Sequence, residues 1–485
     1  MAPRTQTFES FNPATGEVVG IFPNTSAKEV NEVVARSKVA AQRWADLGFR
    51  RRFLVLRSWA SLLTRELEST AHLIHRETGK PLSDAKLETA LAIEHISWAA
   101  KFAPKVLSPQ NRPSGLLMFN MASQVQRVPF GVIGVIGPWN YPLFTPMGSI
   151  AYALSAGNTV VFKPSEYTPG VGVWLAETWN EVCPDQPVLQ AITGQGETGA
   201  ALCRVGVDKI AFTGSTRTAK KVAALCAEKL IPLVAECGGK DAFIVSDDAD
   251  VKAAAENTLW AAMSNAGQTC IGAERVYVHE KVADEFIRII TAQAGLLSAG
   301  VHYGAMTMPS QIDVITKHVE DALAAGGSPL VGGREAIQAP YVQPIIIAEV
   351  PENNSAVQEE TFGPVLIINR VKSDEEAIEK ANATSYGLGA SVWSKHKGKK
   401  IAQKLRTGMI SINSVLGFAG VSSVPFGGVG DSGYGRIHGP EGLKEFTFAR
   451  SIAAPRFRSP LQLTSFRRGP KTDALIARLI RLLHG

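Results

Sequence analysis

Along most of the chain, short runs of apolar and β-branched residues alternate with longer segments whose apolar positions recur at helical spacing. Strands are predicted at Val132–Ile136, Thr159–Phe162, Lys209–Phe212, Phe243–Val245, Arg275–Val278, Val365–Ile368 and Met409–Ile412. Several are nearly continuous in apolar residues, the pattern of a strand covered by helices on both faces. Helices are predicted over Val30–Ala45, Arg51–Glu68 and Lys281–Ala294. The first hundred residues read as mostly helical and are expected to wrap a sheet formed later in the chain. The alternation places the protein in the α/β class with parallel sheets.

Two segments depart from this rhythm. Residues 115–128 (GLLMFNMASQVQRV) read as two strands on either side of an Asn120–Ser123 turn, a hairpin suited to subunit contact. Residues 472–484 (TDALIARLIRLLH) place Leu475, Ile476, Leu479, Ile480, Leu482 and Leu483 on one helical face, with Arg478 and Arg481 on the other. Such a helix is about 20 Å long, too short to span a bilayer. It suits packing on the body or a neighbouring subunit, or lying apolar side down in an anionic lipid interface.

Composition bounds the function. A chain of 485 residues exceeds one ordinary core, so two or three domains are expected. The 45% hydrophobic and 19% charged content reads as soluble and globular. No apolar run approaches the roughly 20 residues a membrane span needs, and Met1–Ser10 lacks the apolar core of a signal peptide. The expected compartment is therefore the cytoplasm, with peripheral membrane contact through the tail as a variant. Five cysteines, an odd number without a CxxC spacing, argue against a disulfide framework and against a metal site. The net charge of +6 is local: residues 455–485 hold seven Lys or Arg against Asp473, and the rest of the chain balances at 43 basic and 43 acidic residues. A neutral body disfavours nucleic acid as a partner.

Candidate chemistry sits where predicted strands end, the usual ligand position in α/β proteins. Val132–Ile136 runs into Gly137-Pro138-Trp139-Asn140-Tyr141-Pro142, a stiff turn from which the Asn140 amide could face a developing oxyanion. Read alone, an asparagine in such a turn is usually a capping residue. Thr159–Phe162 ends in Lys163-Pro164-Ser165-Glu166, able to hold sugar hydroxyls or simply to pair on the surface. Thr213-Gly214-Ser215-Thr216 leads into a helix and presents free N–H groups suited to phosphate. The run Gly427–Gly435 lacks a strand-to-helix context and reads as a flexible turn. Of the five thiols, Cys183, Cys203 and Cys226 read as buried structural residues. Cys270 instead lies in a polar Gly267-Gln268-Thr269 loop, where a thiol can meet a substrate and be ionised by nearby dipoles or a cofactor cation. Glu236 precedes Gly238 and Gly239, which allow close backbone approach to a carboxylate acting as base.

Taken in order, PWNYP at 138–142, KPSE at 163–166, FTGST at 212–216, ECGGK at 236–240, GQTC at 267–270, EETFGPVL at 359–366 and PFGGVGDSGYGR at 425–436 resemble the aldehyde dehydrogenase superfamily. The resemblance spans residues 8 to 454. It implies a Rossmann-like NAD-binding domain (1–110 and 129–238), an α/β catalytic domain (239–440), and a small β oligomerisation arm (111–128 and 441–455, including a strand near Phe446–Ile452) of a homodimer or homotetramer. The basic tail (456–485) lies outside it. The implied chemistry is oxidation of an aldehyde to its acid: Cys270 attacks, Asn140 and the Cys270 N–H hold the oxyanion, and Glu236 activates the water that cleaves the thioester. Lys163 and Glu166 would bind the adenosine ribose, Gly214 and Ser215 the pyrophosphate and Glu360 the nicotinamide ribose, with Trp139, Ser165 and Phe362 beside the cofactor. A glutamate at position 236 favours hydrolysis over acyl transfer to coenzyme A. Glu166 repels a 2′-phosphate and so favours NAD, while Lys163 leaves room for NADP.

Departures from the family pattern carry information. Cys237 stands where many relatives have leucine, and Ala219 where many have glycine. Ser149 and Ile437 replace a lysine and a glutamate that pass protons from the base, so bulk water is the expected exit. The Arg436-Ile437-His438-Gly439 pattern resembles the branch handling hydrophobic, fatty or aromatic aldehydes. A semialdehyde of the succinate type is the alternative substrate. Rival readings of the whole chain are a non-catalytic structural or binding descendant and a cofactor-free acyl hydrolase using the same thiol.

Overall fold

A computed structural model of the protein describes residues 6–184, 186–459, 463, 465–466 and 468–484. The chain divides into two units, one of residues 1–106 and 129–447 and one of residues 107–128 and 448–485.

The larger unit is α/β and contains two mainly parallel sheets. The first has six strands in the order Gly433–Tyr434, Leu233–Glu236, Lys209–Thr213, Val132–Ile136, Thr159–Lys163 and Leu189–Ala191. All pair in parallel except Gly433–Tyr434, which runs antiparallel to Leu233–Glu236. Sequence order reverses between Val132–Ile136 and Lys209–Thr213, the switch point at which an open parallel sheet leaves a crevice beyond its strand ends. Thr159–Lys163 is buried at every position, as its unbroken apolar run requires.

Four helices, Ala27–Asp46, Gly48–Arg65, Leu67–Thr78 and Leu82–Leu107, account for most of the first hundred residues. The first opens with a capping box in which Ser26 and Glu29 satisfy each other's backbone amides. Trp44 and Trp59 both meet the ring of Trp179 edge-on, at 5.6 and 5.0 Å between centroids. Trp44 also donates to the Leu154 carbonyl, locking the N-terminal helices onto those of the first sheet.

The second sheet has seven strands in the order Ser328–Val331, Ile345–Ala348, Val365–Val371, Arg275–His279, Ala242–Val245, Gly389–Trp393 and Met409–Ile412. Only the edge pair Ser328–Val331 and Ile345–Ala348 is antiparallel. Phe243, Val276, Ile346 and Ile367 of this sheet pack with Leu259 and Phe286 of flanking helices in one continuous core.

In the smaller unit, Met121–Pro129 is the middle strand between Thr447–Pro455 and Gln110–Arg112. The turn expected at Asn120–Ser123 is displaced: the link lies N-terminal to Met121, and residues 121–123 already belong to the strand. Every residue of that strand is half-buried, so no in-out alternation marked its register. The helix Pro470–His484 has no buried residue, and Leu482 is 81% exposed. Among the described residues no helix is long and apolar enough to cross a membrane.

Candidate active site

Cys270 follows a tight loop whose backbone is held in an unusual conformation. Asn265 and Ala266 have φ of 53° and 56°, values that non-glycine residues adopt only when their surroundings compel it. The Asn265 amide donates to the carbonyls of Asn140 and Gln268, at 3.1 and 3.2 Å. Gln268 donates to the Asn265 carbonyl and accepts from the Thr307 N–H, at 2.9 and 2.8 Å. The loop is thus fixed from both sides. Cys270 is half-buried, whereas Cys183, Cys203, Cys226 and Cys237 are buried.

Asn140, at the end of Val132–Ile136 and its prolyl turn, donates one amide N–H to the Gln268 carbonyl at 2.8 Å. Among the described residues its second N–H has no acceptor and remains for another. Next to it, the Tyr141 hydroxyl lies 3.0 Å from Thr269 Oγ1. Adjacent residues of one turn therefore grip the two residues that precede the thiol.

Glu236 terminates Leu233–Glu236 and is 2% exposed. Neither carboxylate oxygen has a hydrogen-bond partner among the described residues. Burial pushes its carboxyl well above the ordinary range, opposed by the charge of Arg436. Two glycines bring this turn against its neighbours. A Cβ on Gly239 would lie 2.7 Å from the Cys270 carbonyl oxygen, and one on Gly238 2.0 Å from the Glu360 carboxylate. Only glycine permits those approaches.

The run Gly427–Gly435, read from sequence as a flexible turn, is instead packed against this carboxylate. Gly433 pairs with Glu236 in the first sheet, and a Cβ on Gly427 would stand 2.7 Å from Glu236 Oε1. Its role follows from strand pairing across two hundred residues, which local context does not reveal. Cys237 points the other way, into the core with Phe212, Ala219 and Cys226, which accounts for both substitutions as packing.

The Cys270 thiol is pushed up by burial and by the carboxylates of Glu360, Asp241 and Glu236, with only its own backbone N–H acting in the opposite sense. The protein's own charges thus favour the thiol over the thiolate.

Glu360 accepts from the Gly239 N–H at 3.1 Å, and its carboxyl is pushed up to about 8 by burial and by Glu274. The following turn places Phe362 at φ 51°. Glu274 holds that turn by accepting from the N–H groups of Thr361 and Phe362, and itself pairs with buried Lys240. The Phe362 ring meets Trp139 edge-on at 5.5 Å. Glu274 had no sequence signal of its own, being one charged residue beside a strand, and Lys240 ends the ECGGK motif without that motif marking it as the partner of Glu274.

At the neighbouring strand ends, Lys163 and Glu166 pair at 3.3 Å, and burial lowers the Lys163 amine. Ser165 is buried and caps the turn through Tyr167 N–H. Gly214 N–H bonds the Glu236 carbonyl, and Ser215 Oγ caps the helix Thr216–Ala227 by accepting from Thr218 N–H. All five lie at the C-terminal side of the first sheet, beside the switch-point crevice. Cys270, Asn140, Glu236 and Glu360 form one connected group, while Lys163, Ser165, Glu166 and Ser215 line the adjoining strand ends.

A family model described as aldehyde dehydrogenase family matches residues 1–452. The chain is 34% identical to the 4,4'-diapolycopene aldehyde oxidase of Methylomonas sp, over 94% of this chain and 87% of that protein. It is equally 34% identical to a protein of Mycolicibacterium smegmatis provisionally named succinate-semialdehyde dehydrogenase (NADP(+)), over 91% and 87%. Among solved structures, the NAD-dependent aldehyde dehydrogenase from Sinorhizobium meliloti superposes with a TM-score of 0.89 at 32% identity, covering 94% of this chain and 93% of that one. With the family model matching residues 1–452 and relatives 34% identical over more than nine-tenths of its length, the chain belongs to the aldehyde dehydrogenase family.

Proposed function

We propose that the protein oxidises an aldehyde to the carboxylic acid, with Cys270 as nucleophile, Asn140 as oxyanion donor and Glu236 as base, and NAD(P) as electron acceptor. The observation that carries this reading is the junction at Gly239. There the turn bearing an unpartnered buried carboxyl abuts the backbone of the half-buried thiol. The Cys270 thiol gives its proton to solvent water as its sulfur bonds the aldehyde carbon, and the carbonyl electron pair moves to oxygen. The free N–H of the Asn140 amide and the Cys270 N–H stabilise that oxyanion. NAD(P), when bound, supplies the site for the hydride that leaves the same carbon. The thioester left on Cys270 is then cleaved: Glu236 takes a proton from water, oxygen bonds the acyl carbon, the C–S bond breaks, Glu236 passes its proton to bulk water, and the departing sulfur takes one from the same solvent to restore the thiol.

The residues at the first sheet fit such a cofactor. The N-terminus of the helix Thr216–Ala227 offers N–H groups to a pyrophosphate beside Ser215, with Gly214 seated over the Phe212 ring. Lys163 and Glu166, paired at the end of their strand, are the groups we assign to ribose hydroxyls, and the Glu166 carboxylate favours NAD over a 2′-phosphate. We accordingly assign 1–110 and 129–238 to cofactor binding and 239–440 to catalysis.

A hydrophobic aldehyde is the favoured substrate. Behind the Asn140 turn, Phe144, Tyr152, Phe426, His95 and His438 pack ring to ring. Burial lowers His95 to about 4 and His438 well below its ordinary value, so both imidazoles are neutral at physiological pH. This neutral, closely packed cluster, with His95, Tyr152 and His438 at most 1% exposed, offers no charge to a substrate carboxylate and so supports an apolar chain. The name of the mycolicibacterial relative supports a semialdehyde as the second reading. An aldehyde series from short to long chain, with succinic semialdehyde beside it, each with NAD and NADP, separates these. Specificity (kcat/KM) should rise with chain length and be higher with NAD. A maximum at succinic semialdehyde would replace the substrate reading, and no reduction of either cofactor would remove the reaction itself.

Residues 111–128 and 441–455 are assigned to contact between subunits, and the exposed apolar face of Pro470–His484 to an anionic membrane surface. One preparation tests both. Light scattering should give a dimer or tetramer mass, and flotation with anionic vesicles should weaken on Arg478→Glu with Arg481→Glu. A monomer, or unchanged flotation, would remove the corresponding assignment.

A further inference from the structure

Lys80 follows Gly79, the left-handed cap of the helix Leu67–Thr78, and Glu88 is the seventh residue of Leu82–Leu107. Their side chains are wholly buried and pair at 2.5 Å. Both reach the turn that carries Asn140. Lys80 Nζ donates to the Asn140 carbonyl at 2.7 Å and lies 4.0 Å from the centroid of the Tyr141 ring. Glu88 Oε1 accepts from the N–H groups of Leu143 and Phe144, at 2.9 and 3.2 Å. The helix Phe144–Ala156 has no side-chain cap of its own, so Glu88 supplies it from another helix. The pair therefore clamps the prolyl turn on both sides of Pro142. From that turn, Asn140 bonds the Gln268 carbonyl and Tyr141 meets Thr269.

Burying two charges is costly, and a well-packed apolar pair fills such a space at least as stably. What an apolar pair lacks is direction. We infer that Lys80 and Glu88 are positioning residues that aim the Asn140 amide at the oxyanion formed on Cys270. The inference rests on the proposed role of Asn140. Loss of the clamp lets the amide drift, and a displacement of about 1 Å costs on the order of 10² in rate.

The test is the double variant Lys80→Met with Glu88→Gln, which removes both charges together and leaves neither unpaired. Its kcat for aldehyde oxidation, per active site titrated, should fall about 10²-fold while KM for the aldehyde changes less than about threefold. Alkylation of Cys270 by iodoacetamide needs no oxyanion donor and should stay within about twofold of the parent. A lower melting temperature with unchanged kcat per site would make the pair purely structural and overturn the inference, as would a double variant that does not fold. A parent protein that oxidises no aldehyde would instead remove the reading of Asn140 on which the inference stands.

Discussion

Replacing Cys270 by alanine is expected to lower aldehyde oxidation by roughly 10⁴-fold or more, with binding of NAD unchanged. The thiol is the one cysteine of the five that is not buried, and its loop is fixed by Asn265, Gln268 and Thr307 rather than by its own side chain. Removing the sulfur therefore deletes chemistry and leaves the scaffold. No other thiol can substitute, since Cys237, the nearest in sequence to the base, packs into the core beside Phe212. NADH production measures the loss, and a fluorescence titration with NAD checks binding. A variant keeping more than about 1% of the parent rate would show that another group attacks the aldehyde.

Glu236→Gln is expected to have the second largest effect and a different signature. The first half-reaction does not need the base, so the variant should release about one NADH per site and then turn over about 10² to 10⁴ times more slowly than the parent. The pH dependence follows from the environment of the carboxyl. Burial raises it well above its ordinary value of 4.5, so the ionised, basic form is reached only on the alkaline side, and kcat of the parent should climb with pH through that raised value. The glutamine variant should lack this climb. Stability runs the opposite way. A carboxyl whose folded pKa is raised contributes stability below 4.5, and that contribution is lost as pH rises through the folded value. Glutamine stays neutral throughout, so the variant should unfold at higher denaturant concentration than the parent in alkaline buffer, with the gap closing towards pH 4. An equal deficit in both half-reactions would assign Glu236 to the fold or to cofactor binding instead.

Much of this site was legible because parallel strands covered on both faces leave unbroken apolar runs. Val132–Ile136, Thr159–Lys163 and Lys209–Thr213, each expected to within a residue, form one sheet with Leu233–Glu236, a strand not expected from the sequence, and the polar residues that end them share one side. Cys270 stood out by its polar loop, and its partial exposure agrees. What stayed hidden depends on contacts between distant segments. Lys80 in sequence is a charged residue after a helix-ending glycine, the usual mark of a solvated turn, yet its Nζ lies buried against Glu88 and Asn140. Glu274 likewise gives no hint that it holds the Phe362 turn. Gly427 and Gly433 looked like flexible punctuation, whereas tertiary pairing makes them the floor against which Glu236 rests. The misplaced turn near Asn120 has another cause. A strand half-buried along its whole length carries no alternation from which its start could be read.

The claim that aldehyde oxidation passes through a thioester on Cys270 is tested most directly by trapping it. Glu236→Gln is mixed with NAD and a long-chain aldehyde, quenched in acid after the first turnover, digested, and analysed by mass spectrometry. The peptide containing Cys270 should gain the mass of the acyl group, in an amount equal to the NADH released, and hydroxylamine should remove it. NADH release with Cys270 unmodified, or with the acyl group on another residue, would contradict the account.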